Sequence, residues 1–273
     1  MTSESVVVEK SSKQDRKSTA FRNKMVLLLK QLLLLVVLLA TWEGIVRMGA
    51  ISEFTLPAPS QIGARVWALF KSGELFEHLY VTLTEMIGGF VLGAVTGVLA
   101  GMLLALTPRV AAVLDPFIVT LNGLPRAALA PLFIVWLGIG VSSKIAIAAS
   151  IVFFICLFAT HMGMKNADPL LVRAVEALGA NQRQLLLKVR LPSTIPWILT
   201  ALKSSVGMAL IGAVIGELVA ASHGLGWYIA SSAGNFDTVG IFAGLLVLGF
   251  VAICVDAIVE GAGAHFTKWR TDR

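Results

Sequence analysis

The sequence predicts an all-α polytopic membrane protein with six transmembrane helices and both termini cytoplasmic. Three observations predict it: a composition too apolar for a surface in water, six apolar stretches of spanning length, and a one-sided distribution of lysine and arginine. Of 273 residues, 57% are apolar and 14% charged, and the mean hydropathy is +0.85. A water-soluble domain carries about a quarter charged residues. A chain this apolar places most of its surface in lipid. The formal net charge of +6 is gathered at the ends of apolar segments, which fits membrane sidedness and not nucleic-acid binding.

A spanning helix needs about 20 mostly apolar residues. The stretches that qualify are 25–48, 82–106, 112–138, 143–163, 195–221 and 238–260. Residues 1–24 form a basic tail with Lys10, Lys13, Arg16, Lys17, Arg22 and Lys24. The apolar run that follows lacks a small-residue cleavage site and reads as a first anchor, 25–48, not a cleaved signal. Residues 49–81 form an outer segment, in which Ser60 is placed to cap a short amphipathic helix through Phe70. The span 112–138 contains Pro116, Pro125 and Pro131, so it should kink or break, which is tolerated only beside protein or a water-filled cavity. Lys165, Arg173, Arg183, Lys188 and Arg190 fall in a loop at 164–194, Arg109 follows the second span, and Lys268, Arg270 and Arg273 lie in a closing tail at 261–273. Alternation through six spans puts all of these on the side of the basic tail, against Arg65, Lys71 and Lys144 on the other, and the positive side is the cytoplasm. Cys156 and Cys254 lie in separate apolar runs and read as core residues without a disulfide.

Ionisable groups within spans are costly and mark either internal ion pairs or a polar path. Glu85 stands near the outer end of the second span, where it can reach water. Arg126, Lys203 and Glu217 are candidates for a translocation path. Arg126, beside Pro125 in the broken span, is the better placed to line such a path, whereas Lys203 reads as holding a helix contact. Gly89, Gly93, Gly97 and Gly101 recur every fourth residue and put a stripe of small residues on one helix face for close helix packing.

The loop itself builds from local rules. Asp168 is a good N-cap with Pro169 in the first turn, Gly179 offers a left-handed stop, and a second short helix runs to about Val189, ended by Leu191-Pro192. Leu170, Ala174 and Ala177 share a face, with Arg173 and Glu176 beside it. Two short, weakly apolar helices suit a groove on a soluble partner better than a lipid surface.

In spacing, Arg173-Ala174-Val175, Gly179, Val189 and Leu191-Pro192 resemble the cytoplasmic coupling loop of ABC importer permeases. Arg173 occupies the position where that family carries glutamate. Leu56-Pro57-Ala58-Pro59, Pro131 to Gly140, Gly216-Glu217-Leu218 and Gly224-Leu225-Gly226 look like the same family, in its sulfonate, taurine and nitrate branch. The resemblance covers roughly Phe54 to the end. It implies a type I permease domain over 82–260, in a multi-pass protein of a prokaryotic inner membrane. The implied partners are a second permease chain in a homodimer, two cytoplasmic ATPase subunits holding ATP and Mg, an external substrate-binding protein and membrane lipid. The implied substrate is a small anion or, alternatively, a vitamin precursor.

No Gly-x-x-x-x-Gly-Lys-[Ser/Thr], His-Glu-x-x-His, Cys-x-x-Cys or Gly-x-Ser-x-Gly occurs in the chain. It therefore reads as a permease that binds no cofactor or metal and is not an enzyme by itself. A secondary transporter needing no nucleotide subunit is the rival reading. Halves 25–138 and 143–260 share no evident pattern of the kind that inverted repeats produce.

Overall fold

A computed structural model describes the backbone of residues 3–267 and the side chains of residues 25–261. The basic side chains expected at 10–24 and at 268–273 lie outside the described residues. Every regular element among the described residues is helical. Five helices are long and apolar enough to cross a membrane, and a bent pair makes a sixth span if counted as one. By internal contacts the chain divides into Met1–Ala64 and Arg65–Arg273.

The first unit contains α1 (Ser3–Arg47) and the start of α2 (Pro59–Ser72). From Met25 to Thr41 every side chain of α1 is exposed, as expected of an anchor whose surroundings are lipid. Glu43 accepts hydrogen bonds from the Ser60 backbone N–H (3.0 Å) and the Ser60 hydroxyl (2.7 Å). The free amides at the start of α2 are met by this carboxylate and by Gln61, which reaches back to the Ala58 N–H. The helix thus begins one residue before Ser60. The expected cap is itself a first-turn residue, because Pro59 supplies the preset φ of the first helical position.

The second unit is built around α6 (Val141–Lys165), which packs against α3 (Glu74–Leu106) and α9 (Leu191–Val219). Every fourth residue of α6 from Lys144 to Met164 is at most 3% exposed. That stripe meets glycines on both neighbours. A Cβ added to Gly89, Gly93, Gly97 or Gly101 would run into α6 beside Ala148, Val152, Cys156 and Thr160 in turn, and at Gly93 it would lie 2.5 Å from the Ala149 carbonyl. The constant offset shows that α3 and α6 run parallel. On the other side, Gly212 sits against Ala148 and Gly216 against Lys144, so α9 runs antiparallel to both. Small residues let the backbones approach closely enough for dispersion and Cα–H contacts to hold helices that lipid would otherwise solvate equally well. Cys156 and Cys254 are free thiols.

The proline-rich third span is two helices, α4 (Pro108–Gly123) and α5 (Arg126–Leu137), bent by 96°. Leu124 is extended, as a residue before proline must be. The carbonyls freed at the end of α4 are claimed by Arg126, whose guanidinium donates to Leu121 O (2.7 Å) and Asn122 O (3.3 Å). Towards the end of the chain, α10 (Leu225–Gly234) and α11 (Thr238–Thr267) complete the bundle.

Candidate functional site: a capped surface segment and a buried polar cluster

Between α6 and α9 the chain forms α7 (Pro169–Ala177), a short turn α8 (Gln182–Leu185) and a π-helical segment Leu186–Arg190. The Asp168 carboxylate accepts from the Leu170 N–H at 2.8 Å, satisfying one of the amides a helix start leaves unpaired. At the other end, Gly179 has φ of 80°. Its N–H donates to Glu176 O and that of Ala180 to Val175 O, which is the Schellman stop. The Asn181 side chain and the Gln184 side chain then cap each other's backbone N–H, both at 2.9 Å. This capping box was readable as Asn-x-x-Gln and is absent from the sequence reading.

Leu170, Arg173, Ala174, Glu176 and Ala177 are all exposed. Leu170 is 75% and Leu178 86% exposed, an apolar surface on a segment otherwise rich in charge. Val189 and Leu185 point the other way and are buried. The stop expected at Leu191-Pro192 is not there. The π-helical turn leads straight into α9, so Gln182–Val219 is one continuous helical stretch of 38 residues. Pro192, which has no N–H to give, sits inside this stretch directly after the π-helical turn, where the regular helical bonding is already interrupted.

At the far end of α9 lies a second constellation. Glu217 is 1% exposed and Glu85 2%, and Lys144 is 1% exposed. Glu85, which the sequence placed near water, is thus enclosed by α6 and α9. Glu217 Oε1 accepts from the Thr82 hydroxyl at 2.6 Å and Oε2 from the Gly226 N–H at 2.6 Å. Thr82 Oγ1 in turn accepts from the Leu225 N–H at 2.9 Å, and His78 Nδ1 from the Gly224 N–H at 3.2 Å. Lys144 donates to the Ile139 and Gly140 carbonyls and interacts electrostatically with both carboxylates. The Gly224-Leu225-Gly226 stretch is the counterpart of Glu217. Gly224 has φ of 114°, and a Cβ on either glycine would strike the Glu217 side chain. Thr82, His78 and Lys144 were missed in the sequence, where the signal was only that polar residues recur near one end of several spans. Beyond this cluster, a cavity of about 390 Å³ opens among Glu74, Glu77, His78, His223, Trp227 and Asp237.

The two cations expected to divide path from packing are placed differently from that expectation. Arg126 is engaged on three sides, by the Leu121 and Asn122 carbonyls, by Asn122 Oδ1 at 3.2 Å and by the Phe154 ring 4.6 Å from its guanidinium carbon. Lys203 is exposed on α9 and, among the described residues, has no ion pair or hydrogen bond.

A long antiparallel core helix joined directly to a capped, exposed segment is a layout that can be compared with known proteins. Residues 79–271 match the family model "Binding-protein-dependent transport system inner membrane component". The chain belongs to this family. It is similar to the putative aliphatic sulfonates transport permease protein SsuC of Bacillus subtilis, at 34% identity over 86% of this chain and 85% of the relative. Similarity extends to the formylaminopyrimidine transport permease protein ThiX of Halalkalibacterium halodurans, at 33% over 86% and 93%. The taurine transport system permease protein TauC of Escherichia coli is 30% identical over 85% and 86%. Among solved structures, an inward-facing MetNI methionine ABC transporter chain matches the fold with a TM-score of 0.59 at 19% identity, over 70% of this chain and 93% of that one. The protein is therefore an ABC importer permease, a multi-pass component of the inner membrane, with relatives in the sulfonate and taurine branch. Permeases of this family are transport components and not enzymes.

Proposed function

We propose that this permease forms the translocation path for a small anion such as a sulfonate, taurine or nitrate, as half of a homodimer driven by two separate ATPase subunits. The basic tail and the α7–α8 segment face the cytoplasm, and the cavity beside His78 faces outward, where an external binding protein delivers substrate. One observation carries the reading: α7 is exposed, carries apolar Leu170 on its surface and is capped at both ends, and α8, capped at its start, is continuous with a core helix of the bundle. A partner gripping residues 168–192 can thereby move α9 as a unit. ATP and Mg reside in that partner, since this chain has no phosphate cradle. The likeness to sulfonate and taurine permeases supports the anion. The ThiX relative favours a second reading, in which the same machinery imports a vitamin precursor.

Reconstituted alone in liposomes with ATP, the chain is expected neither to hydrolyse ATP nor to accumulate solute, and adding its cognate ATPase and binding protein should restore both activities. Uptake by the lone chain driven by an ion gradient would return the assignment to a secondary transporter. The α7–α8 joint gives a second expectation. No atom stands within 4 Å of a Cβ at Gly179, so substitution there meets only the backbone cost of positive φ, about 1 kcal/mol and more for a β-branched residue. Gly179→Val should cut copurification of the ATPase while leaving membrane insertion and melting temperature near wild type. Gly179→Asn, which tolerates that conformation, should bind normally. Equal ATPase retention by the valine and asparagine variants would show that this turn does not set the docking surface.

A further inference from the structure

On α9, Thr200, Lys203, Ser204 and Gly207 are all exposed. Their spacing of three and four residues puts them on one face of the helix. Above and below them the exposed residues of α9 are apolar: Ile195, Trp197, Ile211 and Leu218. Lys203 lies about 20 Å along the helix from Arg190 and about 21 Å from Glu217, too deep for its ammonium to reach either end of the bundle by stretching. An ammonium in that position without a partner is costly against lipid and is retained where it meets water or an anion. The surface next to it is concave. A cavity of about 470 Å³ between α6 and α9, bordered by Thr200 and Ser204, and another of about 580 Å³ between α9 and α11, bordered by Ser204 and Gly207, flank Lys203 without including it. Gly207, where a side chain would meet nothing within 4 Å, keeps the wall open one turn further along.

Resting on the importer reading above, we infer that Lys203, flanked by Thr200 and Ser204, is the station at which a permeating anion is recognised inside a water-filled path. The Thr200 and Ser204 hydroxyls now donate to the Pro196 and Ala201 carbonyls of their own helix, and a short rotation of either would turn its proton to an anion at Lys203. Arg126, whose guanidinium is already occupied by helix carbonyls, supplies no such charge. The recognised class is a compact anion, because each chain offers one cation with two neutral donors.

The test is thiol labelling in the assembled transporter, reconstituted with its ATPase and binding protein and free of nucleotide. The parent carries Cys254→Ser and keeps the buried Cys156. Ser204→Cys is expected to react from water with both an anionic sulfonatoethyl and a cationic trimethylammonioethyl methanethiosulfonate, whereas Leu92→Cys, exposed midway along α3, does not. Adding Lys203→Gln should lower the anionic-to-cationic rate ratio about tenfold, the effect of removing one charge from the neighbouring residue in a largely aqueous setting, while Lys203→Arg leaves it unchanged. Ethanesulfonate should slow the labelling when Lys203 is present and not after Lys203→Gln. An unreactive Ser204→Cys would mean that this face is sealed by lipid or by the second chain. An unchanged rate ratio, or protection that survives Lys203→Gln, would likewise overturn the assignment. Labelling reads water and charge at Ser204 whether or not ATP is hydrolysed, so lost ATP-driven uptake with this pattern intact counts against the importer reading alone.

Discussion

Gly93→Val is expected to separate α3 from α6 and to deplete the folded permease from the membrane. The Cβ would lie 2.5 Å from the Ala149 carbonyl oxygen and 2.7 Å from Val152 Cβ. The first of these is backbone in the middle of a buried helix and cannot rotate away. Relief requires the two helices to move apart, which also opens the contacts at Gly89, Gly97 and Gly101. Overpacking usually costs about 1–3 kcal/mol, and a rigid four-contact seam belongs at or above the upper end. Melting temperature and the monodisperse fraction in detergent should both fall steeply for Gly93→Val, and less for Gly93→Ala. Gly249→Val is the control, because nothing lies within 4 Å of a Cβ there. A Gly93→Val protein that melts with the wild type would show that the helices are not held at this spacing.

The buried polar cluster supports the second large effect. Glu217→Ala leaves the Thr82 hydroxyl and the Gly226 N–H without their acceptor. Each buried donor left without its acceptor costs about 1–3 kcal/mol, and more where the lost acceptor is charged. The loss should appear as a large drop in thermal stability, with Glu217→Gln in between because its amide oxygen still accepts one of the two hydrogen bonds. The double-mutant cycle with Lys144→Met distinguishes a linked cluster from separate contacts. If the two losses simply add, Lys144 does not belong to the same electrostatic unit. Since the cluster ties α3, α6, α9 and the Gly224–Gly226 turn together, the Glu217→Ala protein should also become sensitive to proteolysis around residues 220–224.

The sequence carried what depends on neighbours along the chain. Hydropathy located the spans, because each must meet lipid by itself. Asp168-Pro169 and Gly179 marked the ends of α7, because caps act within four residues. Pro125 marked the break in the third span, though not its 96° bend. What could not be read depends on pairs far apart in the chain. Thr82 and Glu217 bond across 135 positions, and nothing near either residue announces the other. Glu85 was placed near water for the same reason: the helices that enclose it begin only at Val141 and Leu191. Lys203 and Arg126 were assigned by depth and by proximity to proline. Their contrast arises from carbonyls freed at Leu121 and Asn122, which only a folded break in the chain exposes. Leu191-Pro192 was ambiguous in principle, since a proline that would end a regular helix is carried through where a π-helical turn precedes it.

The π-helical segment Leu186–Arg190 adds a question of angular phase. In a regular α-helix each residue advances by about 100°, and a π turn accommodates one residue more than the helix around it. Those five residues therefore fix the rotational setting between α8 and the whole of α9. Adding a residue to the regular helix on either side would turn Gln182–Leu185 by about 100° relative to Lys203 and Glu217, whereas the wider π turn absorbs one residue with little change of phase. Leu185 and Val189, four positions apart and both buried, are the pins that hold this setting against the bundle. Identical surface residues presented at another phase would meet a partner's thrust from the side, so the direction in which force enters α9 is encoded by residue count and not by residue type.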